Sequence, residues 1–163
     1  MAQFAANTSV SVEKSRAEIE TILARYGANQ FGYATDSLRG LATIQFCARD
    51  RHIRFTLNLP LFSEKQFAFT AHQKKRRSPQ EQLKAWEQAC RQRWRALCLC
   101  IKAKLEAVDC GITEFEAEFM AHIVLPSGGT VGQLMIPQIN QAYLTGSEPQ
   151  GIRGLLPAPA EVP

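Results

Sequence analysis

The chain has 163 residues, 45% hydrophobic, 9% aromatic and 21% charged, the profile of an ordinary globular domain large enough to hold a core without disulfide or metal staples. No apolar run approaches the ~18 residues of a membrane span, and the opening residues lack the basic start and apolar stretch of a signal peptide, so a cytoplasmic protein without a membrane partner is expected. The net charge of +4 hides a segregation: residues 39 to 104 hold 15 Lys and Arg against four acids, and the remaining positions hold four against eleven.

Residues 1–10 are small and polar and read as a disordered N-terminus. A single domain over 11–146 follows. Val12, Ile19, Ile22, Leu23 and Tyr26 recur at helical spacing behind Ser11, a good N-cap, and Gly27 is placed to stop the helix in a left-handed turn. Gln30 to Thr35 reads as a short strand. From Leu41 to Arg49, Ala42, Ile44, Phe46 and Ala48 alternate with polar neighbours. After a turn expected at Asp50-Arg51, Ile53, Phe55, Leu57 and Leu59 alternate in the same way, which gives a three-stranded antiparallel meander closed by Pro60.

Residues 60–78 read as a long connection ending in Lys74-Lys75-Arg76-Arg77. Ser78, Pro79 and Glu81 then supply an N-cap, a proline at the first helical position and the carboxylate of a capping box. Leu83, Trp86, Cys90, Trp94, Leu97, Ile101, Leu105 and Val108 form an unbroken apolar stripe up to Gly111, a helix of about 32 residues whose ends can project beyond the sheet. Thr113 and Glu116 suggest a second capping box, with Phe115 and Phe119 facing inward and Ile112 closing over the first turn. Thr130 and Gln133 suggest a third, for a helix carrying Leu134, Ile139 and Tyr143, which Pro137 would kink and Gly146 would end. Residues 147–163, with Pro149, Pro157, Pro159 and Pro163, read as a mobile tail. The expected fold class is α+β: an N-terminal helix, a three-stranded meander, one long amphipathic helix packed on the sheet, and two short helices.

Catalytic signatures are missing. The chain has no phosphate-binding loop, dinucleotide glycine fingerprint, nucleophile elbow or HExxH, and Gly128-Gly129 lacks the lysine and preceding strand of a phosphate cradle. Glu114, Glu116 and Glu118 diverge on a helix and suit a solvated face. The five cysteines, Cys47, Cys90, Cys98, Cys100 and Cys110, lack metal-ligand spacing and read as reduced, buried residues. No catalytic residue, cofactor or metal site is therefore expected.

The basic residues are more coherent. On a helical wheel Lys84, Arg91, Arg95 and Lys102 fall on one line, displaced by roughly 100° from the apolar stripe. Lys74, Lys75, Arg76 and Arg77 precede them, and Arg49, His52 and Arg54 occupy the polar side of the hairpin. Such a track suits non-specific contact with nucleic-acid phosphates, and Phe67 and Phe69 in the adjoining loop either stack on unpaired bases or pack under the loop. The same charges also suit the solvated face of a long helix, with Glu81, Glu87, Glu106 and Asp109 as neutralising neighbours. A different class of function, inhibition or bridging of a bacterial host protein, would require an exposed apolar patch along Trp86, Trp94 and Leu97.

Arg25-Tyr26-Gly27-Ala28, Arg51-His52-Ile53-Arg54-Phe55, the block from Ala85 to Leu97, and Ile123-Val124-Leu125-Pro126 with Thr130-Val131-Gly132 resemble a family of small, uncharacterised phage- and prophage-encoded proteins over about residues 11–145. The resemblance implies a phage origin, action inside a bacterial cell and an accessory role, and it assigns no functional residue. The order of elements also looks like the core of phage single-strand annealing proteins, by topology alone. A homo-oligomer is expected because part of the long apolar stripe would need covering.

Overall fold

The computed structural model describes residues 5–70 and 75–147. Strands β1 (Gln30–Asp36), β2 (Leu41–Ala48) and β3 (Arg51–Asn58) form one antiparallel sheet in the order β1-β2-β3, with Ile44 opposite Tyr33 on one side and Phe55 on the other. Alternation decides the faces: Ala42, Ile44, Phe46, Ala48, Ile53 and Phe55 are buried on the inner face, and Gln45, His52 and Thr56 are exposed on the outer face. The β2–β3 turn falls on Arg49-Asp50, one residue before the Asp50-Arg51 expected from sequence. Both have positive φ, 48° and 58°, the backbone of a two-residue hairpin whose twist matches that of its strands, and Arg51 begins β3.

Helix α1 (Val12–Arg25) starts where Ser11 accepts a hydrogen bond from the Lys14 N–H, and ends at Gly27, φ +82°. A four-residue helix, α2 (Lys65–Ala68), lies within the connection expected over residues 60–78; it is too short to show a period. Helix α3 (Pro79–Asp109) has both arms of the expected capping box, the Ser78 hydroxyl receiving the Glu81 N–H and the Glu81 carboxylate receiving the Ser78 N–H. The inner face of the sheet is covered by α1 and α3, with Ile19, Leu23, Trp94, Leu97, Cys98, Ile101 and Leu105 facing β2 and β3 in one core. Each large apolar side chain sealed there contributes ~1.5–3 kcal/mol.

Phe115 and Phe119 of α4 (Phe115–Phe119) complete that core, and the Phe119 ring stands edge-on to Phe46 and Phe55 at 6.1 and 6.2 Å. The expected Thr113–Glu116 capping box does not form. Glu114 occupies the N-cap without a side-chain hydrogen bond, Glu116 faces Arg51 at 3.9 Å, and Ile112 is exposed rather than folded over the first turn. A 3₁₀ turn over Met120–His122 leads to Ile123 and Val124, which run beside β3, the Val124 N–H donating to the His52 carbonyl at 2.8 Å. The capping box at Thr130 and Gln133 is present and opens α5 (Val131–Thr145), which contains Pro137 and ends at left-handed Gly146. Gly132 lets α5 approach Ala121: a Cβ there would lie 2.8 Å from its carbonyl oxygen. Beyond that first turn Ile136, Ile139, Tyr143 and Leu144 are exposed. No helix among the described residues is long and apolar enough to cross a membrane. Cys100 and Cys110 are exposed, against the expectation that all five thiols are buried, because both fall outside the stripe of α3 that faces the core.

Candidate nucleic-acid interface

The ridge of α3 keeps its line, but its middle faces α1 instead of solvent. Arg95 pairs with Glu18 of α1, and Arg91 donates to Gln88 Oε1 at 3.2 and 2.7 Å and faces Glu87 at 3.7 Å. Lys84 and Lys102 are exposed and form no ion pair with the described residues. Eighteen residues separate them, ~27 Å along a helix, with neutralised arginines between. The ridge is therefore two free ends joined by a structural centre.

The sheet residues do not join it. His52 and Arg54 point from the outer face, with the sheet between them and α3. The His52 ring lies 3.0 Å from Cys47 Sγ, and Arg54 donates to the Gly128 carbonyl at 2.7 Å. Arg49 sits in the turn with its guanidinium 5.5 Å from the Phe115 ring centre. These three serve local packing at the far side of the molecule.

In the loop, Arg77 is consumed as well. Its Nη1 donates to the carbonyls of Gln66, Phe67 and Phe69 at 2.7, 3.2 and 2.9 Å, closing the C-terminal end of α2, whose last carbonyls have no helical partner. Lys75 and Arg76 are exposed, and a short antiparallel bridge joins Arg76 to Phe69. Lys74 lies outside the described residues. Phe67 is 5% exposed and packs inward, whereas Phe69 is 42% exposed beside the two free cations.

At the N-terminal end of α3 and in the segment before it, Lys65, Lys75, Arg76 and Lys84 are exposed, and so are Phe62 and Phe69. The two local carboxylates are occupied. Hydrogen bonds from the Ser78 N–H and hydroxyl hold the Glu81 carboxyl below its ordinary range, and Glu64 accepts from the Leu61 N–H at 2.6 Å. Residues 60–84 carry six Lys and Arg against these two acids, and the partial positive charge of the α3 N-terminus adds to the field. Trp86 is tied to the Pro60 carbonyl at 2.8 Å and stands edge-on to Phe62, ring centres 5.9 Å apart.

Arg16 is the charged residue that sequence reasoning misses. Its guanidinium packs against the Trp94 ring at 4.4 Å and the Tyr33 ring at 4.6 Å. The signal was its position: Val12, Arg16, Ile19 and Leu23 share one line of α1, so a cation occupies the apolar stripe. Among the described residues no group of three or more His, Cys, Asp and Glu side chains is placed to hold a metal ion. No protein-family model, curated protein or solved structure matches this chain.

Proposed function

We propose that this is a phage or prophage accessory protein that binds nucleic acid non-specifically, with single strands preferred, through the N-terminal end of α3 and the loop before it. The observation that carries this reading is that Lys75, Arg76 and Lys84, in the loop and the first turns of α3, are exposed and form no ion pair with the described residues, and that Phe69, bridged to Arg76, is exposed as well. Cations release counterions from a phosphate backbone, and an aromatic face stacks on any unpaired base, so the pair of features suits a strand of any sequence. The surface is narrower than the whole ridge. Arg77, Arg95, Arg49, His52 and Arg54 fall outside it because their donors or rings are engaged elsewhere.

The test is fluorescence anisotropy of labelled single-stranded and duplex DNA across a salt series. Replacing Lys75, Arg76 and Lys84 together by Gln weakens binding to all sequences alike and flattens the single-strand salt slope by about 2, at ~0.7 per lost phosphate contact. Unchanged binding in that variant removes the proposal.

A second reading, an adaptor or inhibitor docking on a bacterial host protein, draws on a different observation. The patch first expected to serve it is absent: Trp94 and Leu97 are buried, and only Leu83, 44% exposed, remains open at that end of α3. The uncharged helix α5 offers Ile136, Ile139 and Tyr143 instead. Ile139→Glu with Tyr143→Glu abolishes such docking and leaves strand binding intact. Assembly into a homo-oligomer belongs with the same face, and light scattering on that variant checks it.

A further inference from the structure

Between the start of α1, the β1–β2 connection, the segment after β3 and the first half of α3 lies a cavity of about 650 Å³, within the ~300–1,000 Å³ of small-molecule sites. Both tryptophans of the chain, Trp86 and Trp94, line it, and Leu41, Leu59 and Phe62 add apolar wall. Arg16 is the decisive residue. Its Nε is shielded from solvent with no hydrogen-bond partner among the described residues, and it forms no ion pair with any of them. A guanidinium whose flat faces are taken by Trp94 and Tyr33 has only its edge donors left. None of the three carboxylates on the cavity wall comes within ion-pair distance of it. Asp36 accepts from the Leu38 and Arg39 N–H groups, Glu87 faces Arg91, and Glu13 is held below its ordinary range by its own backbone N–H and the Ser11 hydroxyl, with a smaller contribution from the Arg16 charge.

We infer that this cavity is a binding site for a nucleoside monophosphate unit, its phosphate on the edge of Arg16 and its base against Trp86 and Phe62. A bare inorganic anion would leave the aromatic wall unused. An acyl chain would leave the Thr35 and Ser37 positions on the wall without the polar partner that a sugar or base edge supplies. The unit has two sources, a free nucleotide or the phosphorylated end of a strand. Only the second rests on the function proposed above, and Phe62, common to the cavity wall and the cationic surface, is where the strand would pass from one to the other.

Because both tryptophans line the cavity, intrinsic fluorescence reports its occupancy directly. Titration with adenosine, uridine and thymidine monophosphates quenches it saturably. Inorganic phosphate and the bare nucleosides bind at least about tenfold more weakly, the loss expected when a charge-assisted pair or a stacking wall goes unused. Arg16→Lys, which keeps the charge and loses the planar fork, weakens the nucleotides by a similar factor. Ser37→Phe, on the exposed turn at the mouth, does the same without touching Arg16, so a folding defect in one variant does not shield the idea. Equal binding of inorganic phosphate overturns the assignment of the base, and no quenching at millimolar nucleotide overturns the site. Anisotropy of an oligothymidylate with and without a 5′-phosphate separates the sources. A preference for the phosphorylated end that Arg16→Lys removes identifies the strand end, whereas strand binding indifferent to that phosphate, with nucleotide quenching kept, identifies the free nucleotide. Strand binding without any nucleotide quenching leaves the proposed function standing and this inference lost; quenching without strand binding does the reverse.

Discussion

The two halves of α3 use the same kinds of residue for different ends. From Cys90 to Leu105 the apolar stripe is buried against the sheet and α1, and two of the neighbouring cations are tied to acids from outside the basic segment, Arg95 to Glu18 and Lys104 to Glu118 at 2.7 Å, while Lys102 stays exposed. From Pro79 to Trp86 the stripe is only partly covered, Leu83 stands open, and Lys84 has no ion pair with the described residues. The first half of the helix leaves part of its apolar stripe open to solvent, and the second buries its stripe in the core. A cation on a helical wheel is therefore not evidence of a binding site until its neighbours across the interface are known. Arg95 and Lys84 share one line on the wheel, yet one neutralises a carboxylate and the other is free to meet a phosphate.

This division is open to test. The largest effect belongs to the buried half: Trp94, 1% exposed, covers Arg16 and the core, so Trp94→Ala costs ~3–5 kcal/mol in urea unfolding. Trp86→Ala, on the half-buried end, costs clearly less, and equal losses would erase the distinction between the halves. Ser78→Ala removes the cap of α3 and costs ~1 kcal/mol, read in the same experiment. Arg95→Ala costs ~1 kcal/mol or less, since Glu18 is partly solvated, and a double-mutant cycle with Glu18→Gln shows coupling. Lys84→Ala stays within ~0.5 kcal/mol of the parent protein. A destabilising Lys84→Ala would mean that the free cation is structural after all.

The smallest effect is a pH dependence confined to the far side of the molecule. Burial against Phe55, ring centres 3.9 Å apart, and the nearby Lys104 ammonium hold the His122 imidazole below its ordinary value of 6.5. In the window between that lowered value and 6.5 the unfolded chain binds more protons than the folded one. The contribution of His122 is thus full above about 6.5 and is lost as pH falls through the folded value. His122→Gln flattens that part of a stability profile, and an unaltered profile would show that His122 titrates alike in both states.

Local chemistry made much of the architecture legible. Period-2 alternation marked the two strands of the hairpin and period-3.6 spacing the long helix; Ser11, Ser78 and Thr130 marked three helix starts, and Gly27 and Gly146 two ends. These signals work because a cap, a pleat or a left-handed turn is satisfied by residues within a few positions of one another. The miss at Thr113 shows their limit: the spacing suits a capping box, but Glu116 points toward Arg51 on the neighbouring hairpin and Glu114 takes the N-cap.

The site was legible only in part, for the complementary reason. Sequence determined that the cations are crowded into the middle of the chain and that four of them share one helical line. Tertiary structure decided which are spent, because Glu18, Glu116, Gly128 and the α2 carbonyls reach Arg95, Arg51, Arg54 and Arg77 only after the chain has folded back on itself. It also decided that Arg16, a cation in an apolar stripe, meets Tyr33 and Trp94 at the wall of a cavity. Charge is a property of a residue, whereas its availability is a property of its neighbours, and the neighbours that matter here lie on other elements of the fold.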